Sequence, residues 1–130
     1  MVKIVVDSSA IIAIVTDEAE ASAFADVLVT ATARQISAVN VLEARIVLTL
    51  SKRMPADTVD DFLFRERIAI VPFDETLSDL AFEAYRRFGK GRHPAKLNMG
   101  DCAAYALAKS RGWPLLYKGE DFAQTDIERA

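Results

Sequence analysis

What this sequence has least of narrows its chemistry first. Cys102 is its only cysteine and His93 its only histidine. No internal disulfide and no cysteine zinc centre can form, and a metal site built on His93 would have no second ring. A single cysteine fits a reducing cytoplasm. No apolar run approaches the roughly 20 residues that cross a bilayer, and the N-terminal run is no secretory leader because Asp7 cuts it short. The phosphate-loop pattern GxxxxGK[ST] is missing. A basic excess is missing too. The formal net charge is -3, opposite in sign to an ordinary nucleic-acid-binding domain, although metal ions can supply positive charge locally. No repeat, low-complexity tract or linker interrupts the chain.

What remains is 130 residues, 52% of them hydrophobic, enough for one core and too little for two. Short β-branched runs alternate with helical patterns. Lys3–Val6 reads as a strand buried on both faces. A helix follows from about Ala10, capped by Ser8 or Ser9. Asp17, Glu18 and Glu20 open a second helix, whose apolar face is Ala21, Phe24, Val27, Leu28 and Ala31. Arg34–Ser37 is a short strand, with Ser37 capping a long helix to about Lys52. Val39, Leu42, Ile46 and Leu50 are its expected core stripe. Asp57–Arg67 is a further helix with Phe62 and Leu63 inward, and Phe62 and Phe64 could extend a contact surface with another subunit. Ile68–Val71 is a strand stopped by Pro72. Asp74 or Thr76 caps the next helix, which buries Leu77, Leu80, Ala81, Ala84 and Phe88. Asp101 opens a helix to about Arg111, Leu115–Tyr117 forms a last strand, and the tail ends in a turn or an edge strand. This order predicts a single α/β domain over residues 1–130, with a central, mostly parallel sheet and helices on both faces.

Three acids fall where the chain should be greasy. Asp7 ends the first strand, and open α/β sheets bind ligands beyond strand carboxyl ends. Glu43 lies inside an apolar helix, on one face with Asn40. Arg45 is two residues from it and faces elsewhere. Asp101 enters an alanine-rich helix, where a capping carboxylate is the competing explanation. After the last strand, Asp121 is the preferred fourth acid and Glu120 the second choice. Ser8 is a hydroxyl neighbour. Several carboxylates in one pocket repel, and a hard divalent cation with oxygen ligands resolves that conflict. The one concentrated basic segment, Gly89–Lys96, precedes Asp101. Lys90, Arg92, His93 and Lys96 are expected to form a flexible arm on a phosphate backbone, against the alternative of a solubilising loop.

With these residues located, the chain resembles the PIN-domain ribonucleases, specifically VapC-type toxins of bacterial toxin–antitoxin pairs. The resemblance is carried by Val5–Ala10, Ser37–Ala44, Leu97–Lys109 and Leu115–Phe122, in that order and spacing, over essentially the whole length. It implies that Asp7, Glu43 and Asp101 bind Mg²⁺ or Mn²⁺. It also implies an endoribonuclease acting on transfer or ribosomal RNA, a homodimer and a cognate VapB-type antitoxin. The family pattern of Thr or Ser, then Asn, then Asp is replaced here by Tyr117, Lys118 and Gly119. Two other readings compete: a receiver-like phospho-accepting domain, disfavoured by the serines after Asp7, and an inactive PIN-like module that only binds RNA or antitoxin.

Overall fold

The computed structural model describes residues 2–130. Four strands, β1 (Lys3–Val6), β2 (Ala33–Ser37), β3 (Ala69–Val71) and β4 (Leu115–Leu116), form one sheet in the order β3-β2-β1-β4. Every pairing is parallel, with Val5 opposite both Gln35 and Leu115. The helices are α1 (Ser8–Val15), α2 (Ala21–Thr30), α3 (Ala38–Arg45), α4 (Thr58–Arg65), α5 (Glu75–Phe88) and α6 (Met99–Arg111).

The period-2 alternation of β1 splits the core in two. Ile4 and Val6 pack with Ile11, Leu28, Val41, Leu48 and Phe62, under α1 to α4. Val5 packs on the other face with Leu77, Ala84, Phe88, Ala104 and Leu107, from α5 and α6. Helices therefore cover both faces, as the alternating pattern requires. Small residues along α6 (Ala103, Ala104, Ala106 and Ala108, all buried) bring that helix close to the sheet. The edge strand β3 is half-exposed. On the other edge, the tail bridges to β4 at Leu115↔Arg129, with Ala130 N donating to Leu115 O.

Several local expectations are corrected. Asp7, rather than Ser8 or Ser9, caps α1, accepting from Ser9 N at 3.1 Å. Asp17, Glu18 and Glu20 precede α2 instead of forming its first turn; Asp17 sits at φ 53°. The expected stripe on α3 is rotated. Leu42 is 57% exposed and Leu50 71%, whereas Asn40, Val41, Ala44 and Leu48 are buried. That rotation turns Glu43 away from open solvent, and the helix widens into a π-type turn over Ile46–Ser51. In α4, Phe62 and Leu63 are inward as expected, which removes Phe62 from any intersubunit surface, whereas Phe64 is 86% exposed. Asp74 caps α5 through Leu77 N. Asn98, not Asp101, caps α6.

Candidate active site

Asp7 leaves the carboxyl end of the central strand, beside the point where the chain's crossovers part to either side of β1. That crevice is where parallel sheets accept ligands. Asp7 is 3% exposed. Its Oδ2 accepts from both Ser9 N, at 3.1 Å, and Ser9 Oγ, at 2.5 Å. The Ser9 hydroxyl in turn accepts from Lys118 N at 3.0 Å, so its proton is committed to Asp7. Asp7 Oδ1 is buried without a hydrogen-bond partner among the described residues.

Glu43 comes from α3. Its Oε1 accepts from Ser8 Oγ at 3.1 Å and from Asn40 Nδ2 at 2.8 Å. Its carboxylate rests on the α-carbon of Gly100, where a methyl group would overlap it. Asn40 Nδ2 also donates to Gly100 O at 3.0 Å, tying α3 to the first turn of α6. That turn carries Asp101 at its third position, in a reciprocal capping box. Asn98 Oδ1 accepts from Asp101 N at 2.8 Å, and Asp101 Oδ2 accepts from Asn98 N at 3.0 Å. The capping explanation for Asp101 is therefore correct in part, and it accounts for only one of the two oxygens.

A common pattern links the three acids: among the described residues, protein donors tie one oxygen of each and leave the other free of them. Their proximity is visible in the electrostatics. Burial pushes the Asp7 carboxyl up to about 7, with the charges of Asp101 and Glu43 adding to the effect and the Ser9 bonds opposing it. Asp101 is pushed up to about 6, first by burial and then by Glu43 and Asp121, against the opposing bond from Asn98 N. Asp121 thus lies within electrostatic reach of Asp101 from the exposed segment after β4. Glu120 is exposed beside it.

All the donors here are hard oxygens, the set that Mg²⁺ or Mn²⁺ takes. The orphaned Asp7 Oδ1 is the polar atom such a cation would satisfy. As placed, no group of three His, Cys, Asp or Glu side chains among the described residues is gathered to ion-binding distance. The fit therefore rests on the donor set and its free oxygens rather than on a formed cage.

The basic loop differs from the expected flexible arm. Lys90 N donates to Leu97 O, and Leu97 N to Phe88 O; Arg92 N and His93 N both donate to Gly89 O, and Lys96 N to His93 O. Buried Ala95 and Leu97 anchor it. His93 packs edge-on against Phe88, and its Nδ1 accepts from Ala95 N at 3.0 Å. His93 is thus a folding element of the loop, while Lys90, Arg92 and Lys96 are exposed.

Sequence reasoning missed the supporting roles of Ser9, Asn40 and Gly100. The i,i+3 spacing of Asn40 and Glu43 was the one visible signal, because such pairs adjoin on a helix. Lys118, in the segment that departs from the family pattern, directs its ammonium to Glu18 and lies 3.8 Å from Glu20. Its backbone N–H serves Ser9.

Comparison with known proteins agrees with this architecture. The PIN domain family matches residues 4–128. The chain is 46% identical to ribonuclease VapC28 of Mycobacterium tuberculosis, over 97% of this chain and 96% of that one. It is 44% identical to ribonuclease VapC of Mycolicibacterium smegmatis, over 95% and 96%. Among solved structures it shares its fold with the sarcin-ricin loop cleaving toxin VapC20 of Mycobacterium tuberculosis, with a TM-score of 0.78 at 15% identity over 98% of both chains. DNA-bound VapBC from Salmonella typhimurium gives a TM-score of 0.69 at 15% identity, over 99% and 96%. With a family match spanning nearly its whole length and relatives 44% and 46% identical over nearly all of both chains, the chain belongs to the PIN-domain family, among the VapC ribonucleases.

Proposed function

We propose that the chain is a Mg²⁺- or Mn²⁺-dependent endoribonuclease that hydrolyses a phosphodiester of structured RNA, transfer or ribosomal, by attack of water. The observation that carries this reading is the shared arrangement of Asp7, Glu43 and Asp101, each with one oxygen held by the protein and one left for something else. Asp7 and Asp101 would hold the cation directly. Glu43 and Asp121 would hold it through water or orient the attacking water, with Glu120 as the lesser candidate for the fourth position. The chemistry that a divalent cation would supply there is a lowered pKa for a bound water and polarisation of the phosphoryl oxygen.

The chain's own residues do the rest. Ser9 and Ser8 fix the rotamers of Asp7 and Glu43. Asn98 holds Asp101 at the amino end of α6, where the helix dipole favours negative charge. Lys90, Arg92 and Lys96, presented on a folded loop two residues or more before Asn98, are placed to neutralise backbone phosphates, with His93 shaping that loop. The reading extends to a cytoplasmic protein held in check by a VapB-type antitoxin. No helix among the described residues is long and apolar enough to cross a membrane. A homodimer is supported by the apolar groove of Phe73, Phe82, Tyr85 and Met99 between α5 and α6, in which Met99 is 79% exposed.

The test is cleavage of total RNA by purified protein with Mg²⁺, with Mn²⁺ and with EDTA, alongside Asp7→Asn and Asp101→Asn. Cleavage is expected only in wild type with metal. Cleavage in EDTA, or by either variant at the wild-type rate, rejects the assignment.

A further inference from the structure

Asn40 is a fully buried polar residue that no catalytic carboxylate chemistry requires. Both partners of its Nδ2, Glu43 Oε1 and Gly100 O, can only accept. The amide orientation is therefore fixed, with the NH₂ between these two oxygens and Oδ1 turned elsewhere. Oδ1 has no partner among the described residues. A buried unmet carbonyl costs on the order of 1–3 kcal/mol. An apolar residue of the same shape would avoid that cost, so stability alone does not account for an asparagine here.

The position of the NH₂ suggests what does. It is a direct side-chain hydrogen-bond link between the helix that carries Glu43 and the turn that carries Asp101, two carboxylates whose charges oppose each other. One donated hydrogen bond engages Oε1 of Glu43 beside the one from Ser8. The other holds the carbonyl of Gly100, the residue before Asp101. Glu43 cannot swing away from Asp101 without breaking the first, and α6 cannot drift from α3 without breaking the second.

We propose that Asn40 is a positioning residue: it holds Glu43 and Asp101 in register against their repulsion, and so sets the affinity of the site for its divalent cation. The proposal rests on the metal-dependent reading above. Partners that orient metal-binding side chains typically contribute 10–100-fold in metal affinity.

The experiment is Mn²⁺ titration of wild type, Asn40→Ala and Asn40→Leu, read by the loss of the free Mn²⁺ electron paramagnetic resonance signal, with urea unfolding of each protein in EDTA. Leucine shares the branched heavy-atom skeleton of asparagine and removes both donors and the unmet carbonyl, so Asn40→Leu is expected to stay folded even where Asn40→Ala does not. Both variants, or Asn40→Leu alone, are expected to bind Mn²⁺ about 10–100-fold more weakly than wild type. Wild-type affinity in a folded Asn40→Leu overturns the role given to Asn40 and leaves the metal site intact. Failure of wild type itself to bind Mn²⁺ overturns both.

Discussion

The Glu43 carboxylate lies against the α-carbon of Gly100, with no room for a methyl group between them. The glycine before Asp101 is thus a requirement of packing between α3 and α6, not of backbone conformation. Gly100→Ala is expected to displace Glu43, cost about 1–3 kcal/mol of stability as overpacking does, and reduce RNA cleavage far more than that loss of folded protein explains. Urea unfolding and a cleavage assay on the same preparation separate the two effects. An alanine variant with unchanged cleavage would mean that Glu43 moves aside harmlessly.

Asp7 makes the metal-free protein sensitive to pH in the direction opposite to a salt-bridged carboxylate. Its folded pKa of about 7 lies above its ordinary value of 3.8, so the folded state binds the proton more tightly. Stability is therefore highest at low pH on this account. It falls as pH rises from about 4 to 7, by up to roughly 4 kcal/mol at about 1.4 kcal/mol per pKa unit. Asp7→Asn keeps a capping residue and removes the penalty. In EDTA it is expected to be more stable than wild type at pH 8, with the difference shrinking towards pH 5. Unfolding curves at the two pH values check this, and a gap that does not change with pH would exclude Asp7 as its source.

Cation binding should restore what burying the charged Asp7 beside Asp101 and Glu43 removes. At neutral pH, Mg²⁺ or Mn²⁺ at a hundredfold excess over Kd is expected to stabilise wild type by about 2.7 kcal/mol, seen as a higher Tm. EDTA should reverse it. Asp7→Asn and Asp101→Asn are expected to show little or no such shift, and equal shifts in all three proteins would point to binding elsewhere.

The exposed cations of the loop offer a test that does not involve metal. Lys90→Ala with Arg92→Ala is expected to weaken RNA binding without altering unfolding. The slope of log K against log salt should become shallower by about 0.7 for each single-strand phosphate that the variant no longer neutralises. An unchanged slope would reduce this segment to a solubilising turn.

Much of this architecture is legible in the residues. Lys3–Val6 is β-branched and ends in an acid, and such a run has few other places to go than the centre of a parallel sheet. The acids Asp7, Glu43 and Asp101 stand out because each interrupts apolar chain. The burial of α3 is misleading for the same reason: a stripe through Leu42, Ile46 and Leu50 ignores that Asn40 and Glu43 must turn inward, which rotates the helix and exposes those leucines. Beyond the i,i+3 pairing of Asn40 with Glu43, the supporting roles of Ser9, Asn40 and Gly100 are not legible, because they depend on the distant pairs Ser9–Lys118, Asn40–Gly100 and Glu43–Gly100. The loop around His93 misleads because glycine and lysine suggest an open segment, and only tertiary packing reveals the ring set edge-on against Phe88.

The order of the sheet also bears on when this nuclease comes into being. β1 sits between β2 and β4, so one of its edges stays open until residues near 115 have been made, and Ser9 waits for the N–H of Lys118. During synthesis on the ribosome, the early segments bearing Asp7 and Glu43 are thus present long before the pocket can close around them. The pocket around Asp7 is thus completed by the last strand to be made, however early its acids are in the chain.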